Sequence, residues 1–157
     1  MGNLATPEAL VGRYRIELNA WGQLESPASN RHGRLQAVLA LELGRQLQGM
    51  VLTGCSILTR IGVRVPDVAW ASPEFMKGFG EITPYARAPE ICVEILSRSH
   101  VEAEIIEKTG AYLAAGADEV WLISEDGAVR YLALSGELPK SRFPVTLSLP
   151  PPLQTSP

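Results

Sequence analysis

The chain has 157 residues, 46% of them hydrophobic, enough for one compact domain with a core of its own. With 14 Lys and Arg against 17 Asp and Glu, the net charge of -3 argues against the basic surface of a dedicated nucleic-acid binder. A local cleft can still differ in sign from the whole. No apolar run approaches the roughly 20 residues of a membrane span, and there is no signal-peptide pattern. Cys55 and Cys92 lie far apart in apolar surroundings and read as buried free thiols of a cytoplasmic protein.

Residues 1–12 carry little pattern. Tyr14 to Leu18 alternates like a strand, Asn19 to Gly22 makes a turn, and Gln23 to Glu25 returns as the second half of a hairpin. Ser26 to Asn30 breaks the chain, and Ser29 is placed to cap the longest helix, expected over 30–48. On that helix Leu35, Val38, Leu39, Leu43 and Leu47 form one broad apolar arc. Glu42, Gln46 and His32 fall on the same arc. Either they mark a helix edge meeting solvent, or this face looks into a polar cleft.

Met50 to Arg60 is expected to give two short strands broken at Thr53-Gly54, with a turn at Gly62. Val63 to Ala71 then reads as one further strand, in which Pro66, lacking an N–H, belongs at an edge or bulge. Asp67 follows it in an otherwise apolar run. The Gly- and Pro-rich stretch 72–89 reads as a long surface loop with one helical turn around Pro73 to Lys77.

The densest signal runs from Pro89 to Trp121. Both faces of 89–96 are apolar except at Glu94, as in a covered central strand. Ser99 and Glu102 fit a capping box, and the helix that follows is expected to stop near Gly116. Val101, Ile105, Lys108 and Tyr112 stand four, three and four apart, which sets Lys108 on the apolar face. Glu119 to Ser124 and Val129 to Leu134 make a hairpin around Glu125-Asp126-Gly127. The tail from Pro139 is Pro-rich and expected to fray at its end. No internal repeat and no second domain is visible.

Two acids on apolar strands and a lysine on the buried side of the next helix need explaining, because buried charges are costly unless paired or bound to metal. Asp67 and Glu94, converging with positions left open for water and phosphate, suit Mg²⁺ or Mn²⁺. Such an ion polarises a phosphodiester and acidifies water, and Lys108 could orient that water or stabilise developing charge. The plainer alternative is a buried Asp67–Lys108 or Glu94–Lys108 ion pair, or a Glu104–Lys108 pair one helical turn apart.

The order of motifs adds to this. Glu17 to Gln23, Ser26 to Gly33, Pro66-Asp67, Val68 to Phe75, Glu94 to Ser97, Glu107-Lys108 with Tyr112, Gly116, and Glu119-Val120-Trp121 together resemble the Uma-two family. This is a bacterial, notably cyanobacterial, group within the PD-(D/E)xK restriction-endonuclease-like superfamily. The resemblance covers roughly Tyr14 to Leu132, most of the chain. It implies an α/β fold with a restriction-endonuclease-like core, a central mixed sheet flanked by helices. It also implies a DNA endonuclease that depends on Mg²⁺ or Mn²⁺ for phosphodiester cleavage.

By position, Asp67 is then the acid of the PD motif and Glu94 the acid of ExK, both metal ligands. Leu96 stands where the superfamily's usual lysine would be, and Lys108 from the following helix matches the family's substitute. A further acid is open between Glu17, which fits the family's N-terminal pattern, and Glu42, which fits by helix face; Glu17 is preferred. His32 matches the family's histidine at the helix start, as a phosphate contact or, the favoured reading, a helix-start hydrogen-bonder. Ser97 and Arg98 are candidate substrate contacts, although capping and turn formation also account for Ser97 and Ser99. Arg87 and Arg98 flank the proposed site and could meet phosphate, the plainer alternative being solvated loop arginines. Trp21, Trp70 and Trp121 read as packing residues. A homodimer with two symmetry-related sites is the simplest way to cut both strands. The alternative from another class is a catalytically inactive binding or assembly module that kept the nuclease fold.

Overall fold

A computed structural model describes residues 29–97 and 100–155. Among them a six-stranded sheet is built in the order β1 (Met50–Leu52), β4 (Val68–Ala71), β5 (Ile91–Ile95), β6 (Glu119–Ile123), β7 (Val129–Ala133) and β8 (Gly136–Leu138). β5 and β6 pair in parallel and every other neighbour is antiparallel, so the sheet is mixed. A parallel pair needs a crossover, and α3 (Glu102–Ala114) supplies it. α1 (Asn30–Gln46) and α2 (Pro73–Phe79) complete the α/β architecture, and β2 (Ile57–Thr59) with β3 (Gly62–Arg64) forms a separate ribbon.

Strand alternation assigns the two faces. Val68, Trp70, Ile91, Val93, Ile95, Trp121 and Ile123 pack on Leu35, Leu39, Leu43 and Leu47 of α1. Cys92, Val120 and Leu122 pack instead on Tyr112 and Leu113 of α3 and on Ile57 of the ribbon. Glu94 shares the parity of Cys92, so it lies on the α3 face. Trp70 and Trp121 are core residues, as expected, whereas Trp21 lies outside the described residues. Cys55 and Cys92 are free thiols, half-buried and buried respectively.

Local signals explain most boundaries. The Ser29 hydroxyl accepts from the His32 N–H at 3.0 Å and caps α1. Ser72 caps α2 in the same way through the Phe75 N–H, so the helical turn in the long loop is a short helix. Gly116 follows α3 with φ +112°, and a side chain there would also collide with Arg87, so glycine is needed twice over.

Two expectations change. Val63 to Ala71 is not one strand: β3 ends at Arg64, Val65 to Asp67 is irregular, and β4 starts at Val68. Proline has no N–H to give a ladder, and here it separates two different sheets. The cap of α3 is Val101, without a side-chain hydrogen bond, and Val101 is exposed rather than on the buried face. Ser99, the expected cap, lies outside the described residues. The Pro-rich tail, expected to fray at its end, is anchored ahead of that end. Phe143, Val145, Leu147 and Leu149 pack against the α1-side core, and Gln46 holds Thr146 through both its N–H and its carbonyl oxygen.

Candidate active site

The antiparallel register pairs Val68 with Val93, which brings Asp67, one residue earlier, beside the C-terminal end of β5. There the Ile95 N–H donates to Asp67 Oδ2 at 2.8 Å. The Gln36 side chain of α1 donates to the Asp67 carbonyl oxygen at 2.9 Å, fixing the backbone as well. Because Asp67 precedes the strand, it stands at the sheet's end, where residues from both flanking helices can reach it.

Glu94 is 6% exposed, and the Tyr112 hydroxyl donates to its Oε1 at 2.8 Å. Burial pushes its carboxyl up to about 8; the Lys108 charge opposes that, while the charge of the neighbouring Asp67 adds to it. The two acids are therefore neighbours that resist ionising together. Tyr112, itself fully buried, has its hydroxyl pushed far up by burial and by Glu94.

Lys108 joins them from α3. With Glu94, His100 and Glu104 it lines a recess of about 10 Å³, room for about one water. Half-buried Lys108 thus shares this recess with Glu94, on which its charge acts.

His32 makes the favoured helix-start bond through its backbone and places its ring at the acids as well. Its backbone N–H donates to the Ser29 hydroxyl at the helix start, and its ring lies against the acid site, with Nε2 at 3.2 Å from Asp67 Oδ2. The Asp67 hydrogen bond raises the imidazole above its ordinary range, burial works against it, and the charges of Asp67 and Glu94 add to the rise.

The remaining candidates fall elsewhere. Glu42 accepts from Arg45 at 2.6 Å and from Gln46 at 2.7 Å, and the Arg45 hydrogen bond holds its carboxyl below the usual range. It stands ten residues along the helix from His32, roughly 15 Å away, so Glu42 does not join the acids. Glu17 and Arg98 lie outside the described residues. Ser97 gives its N–H to His100 Nδ1 at 2.7 Å, in keeping with turn formation. Arg87 packs at Gly116, beyond the far end of α3, and does not flank the site.

Tyr112, Gln36 and the buried Glu104 were not singled out as site residues. Tyr112 had a readable signal, since it follows Lys108 by four residues on the same helix face. Missing was the strand parity that puts Glu94 on that face. Gln36 carries the same four-residue relation to His32.

As donors for a metal, Asp67 and Glu94 supply two hard carboxylates, and no group of three or more His, Cys, Asp or Glu able to hold an ion occurs among the described residues. A closed cage is therefore not built from these residues. Two carboxylates with the rest of the sphere left to water and phosphate is the manner in which Mg²⁺ is usually held. A divalent cation would also relieve the repulsion that raises Glu94. The residues fit the ion.

The family described as "Uma2: Putative restriction endonuclease" matches residues 8–156. Among solved structures, the fold is similar to that of a putative nuclease belonging to DUF820 from Anabaena variabilis ATCC 29413, with a TM-score of 0.57 and 16% identity. The match covers 71% of this chain and 66% of that one, so this chain spans just under two thirds of that protein's length. At such identity the likeness speaks for the fold alone. No curated protein matches.

Proposed function

This chain belongs to the Uma2 (Uma-two) family of restriction-endonuclease-like proteins, and on that premise we propose that it is a PD-(D/E)xK-type, Mg²⁺- or Mn²⁺-dependent DNA endonuclease. The observation that carries the reading is that Asp67, just before β4, and Glu94 of β5 are neighbours at one end of the sheet, with Lys108 of α3 next to Glu94. Asp67 and Glu94 would hold the cation. When bound, that cation supplies neutralisation of phosphodiester charge and acidification of water.

The chain's own groups do the rest. Lys108 presents an ammonium next to Glu94, where it orients the attacking water and stabilises charge developing on the phosphoryl oxygens. Water adds to phosphorus, the ester P–O bond breaks, and the proton lost by water reaches the departing oxygen through solvent. His32 and Tyr112 hold the two acids in place. Two copies related by a two-fold axis would cut both strands of a duplex. The runner-up, a non-catalytic binding module, draws its support from the overall net charge of -3.

Incubation of plasmid and single-stranded DNA with Mg²⁺ or Mn²⁺ tests the proposal. Wild-type protein is expected to cleave, EDTA to abolish cleavage, and Asp67→Ala and Lys108→Ala each to lower the rate at least 100-fold. Equal cleavage by all three proteins would assign the activity to a contaminant and defeat the reading.

A further inference from the structure

Each acid of the site spends one oxygen on the protein. Asp67 Oδ2 accepts from the Ile95 N–H at 2.8 Å and faces His32 Nε2 at 3.2 Å. Glu94 Oε1 accepts from the Tyr112 hydroxyl at 2.8 Å. No hydrogen bond from an N–H or hydroxyl donor to Asp67 Oδ1 or Glu94 Oε2 is present among the described residues. The partners come from the two helices on opposite faces of the sheet, His32 from α1 and Tyr112 from α3. Neither partner has a competing commitment. Tyr112 is wholly buried, and His32 Nδ1 is buried with no partner among the described residues.

We propose that His32 and Tyr112 are positioning residues that hold Asp67 Oδ2 and Glu94 Oε1, which leaves Asp67 Oδ1 and Glu94 Oε2 as the oxygens available to a divalent cation. This rests on the reading of the two acids as metal ligands. A carboxylate free to rotate offers either oxygen and pays an ordering cost when it ligates; one already held by a hydrogen bond does not. Groups in this outer position typically govern metal affinity or activity by 10- to 100-fold.

Titration calorimetry with MnCl₂ on the full chain, without DNA, tests the clasp separately from catalysis. Tyr112→Phe keeps the buried ring and loses only the hydroxyl. His32→Leu removes the donor to Asp67, and His32→Gln restores one. The expected result is Mn²⁺ binding by wild type, weakened about 10-fold or more in Tyr112→Phe and His32→Leu, and largely recovered in His32→Gln. A merely structural role would shift the thermal midpoint and leave the Mn²⁺ affinity unchanged. The two sites report independently, so the His32 pair decides if Tyr112→Phe does not fold. Wild-type binding with undiminished affinity in the variants would overturn the clasp while leaving the nuclease reading standing. No Mn²⁺ binding by wild type would overturn both.

Discussion

Glu94 occupies a covered strand, and its neutral form is favoured until a positive charge offsets the carboxylate. The sign of the pH dependence follows. In the metal-free protein its folded value, about 8, lies above the unfolded 4.5. The native state therefore binds the proton more tightly, and this group's contribution is fully present below about 4.5 and lost as pH rises through 8. Glu94→Gln removes the titration. Urea unfolding in EDTA should show the wild type losing on the order of a few kcal/mol more than the variant between pH 5 and pH 9. Parallel pH profiles would contradict the account of Glu94. The anomaly itself was legible in the sequence, because a carboxylate in an apolar run is visible without coordinates. Its partners were not all legible: Tyr112 needs strand parity, and the ring of His32 reaches Asp67 only because that residue stands beyond the end of β4.

At the scale of elements, the C-terminal segment contributes more than its prolines suggested. Its anchor is Glu119, 1% exposed, which accepts from the Trp121 indole at 2.9 Å, the Ser141 hydroxyl at 2.6 Å and the Arg142 N–H at 2.7 Å. Arg31 of α1 holds the other end, donating to the Pro150 carbonyl at 2.6 Å. Glu119→Ala leaves three donors without their acceptor and should cost about 3 kcal/mol in urea unfolding, with faster proteolysis within 139–155. A loss under about 1 kcal/mol would show that the segment is held by its apolar contacts alone. Alternate residues Phe143, Val145, Leu147 and Leu149 carry the packing signal. An element-scale difficulty split Val63 to Ala71: apolar residues continue through Pro66, and only tertiary pairing assigns the two halves to different sheets. By contrast α1, β5, α3 and the β6–β7 hairpin were legible because a cap, a period or a turn marked each one.

Over the whole molecule, long-range register joins what sequence separates. Asp67 and Glu94 are 27 positions apart and become neighbours through the β4–β5 ladder, while the parallel β5–β6 pair obliges α3 to carry Lys108 back across the face that Glu94 occupies. Family membership fits this arrangement, and Glu42, plausible by helix face alone, drops out because its helix turns it toward Arg45 and Gln46. What the arrangement is for turns on whether one divalent cation binds between two particular acids. The most direct measurement is anomalous diffraction from a crystal soaked in MnCl₂, with an Asp67→Ala crystal treated identically. A peak within ligating distance of both Asp67 and Glu94, beside Lys108 and absent in the variant, is expected. No peak there, or a peak that persists in Asp67→Ala, would contradict the assignment and favour a binding module built on a nuclease fold.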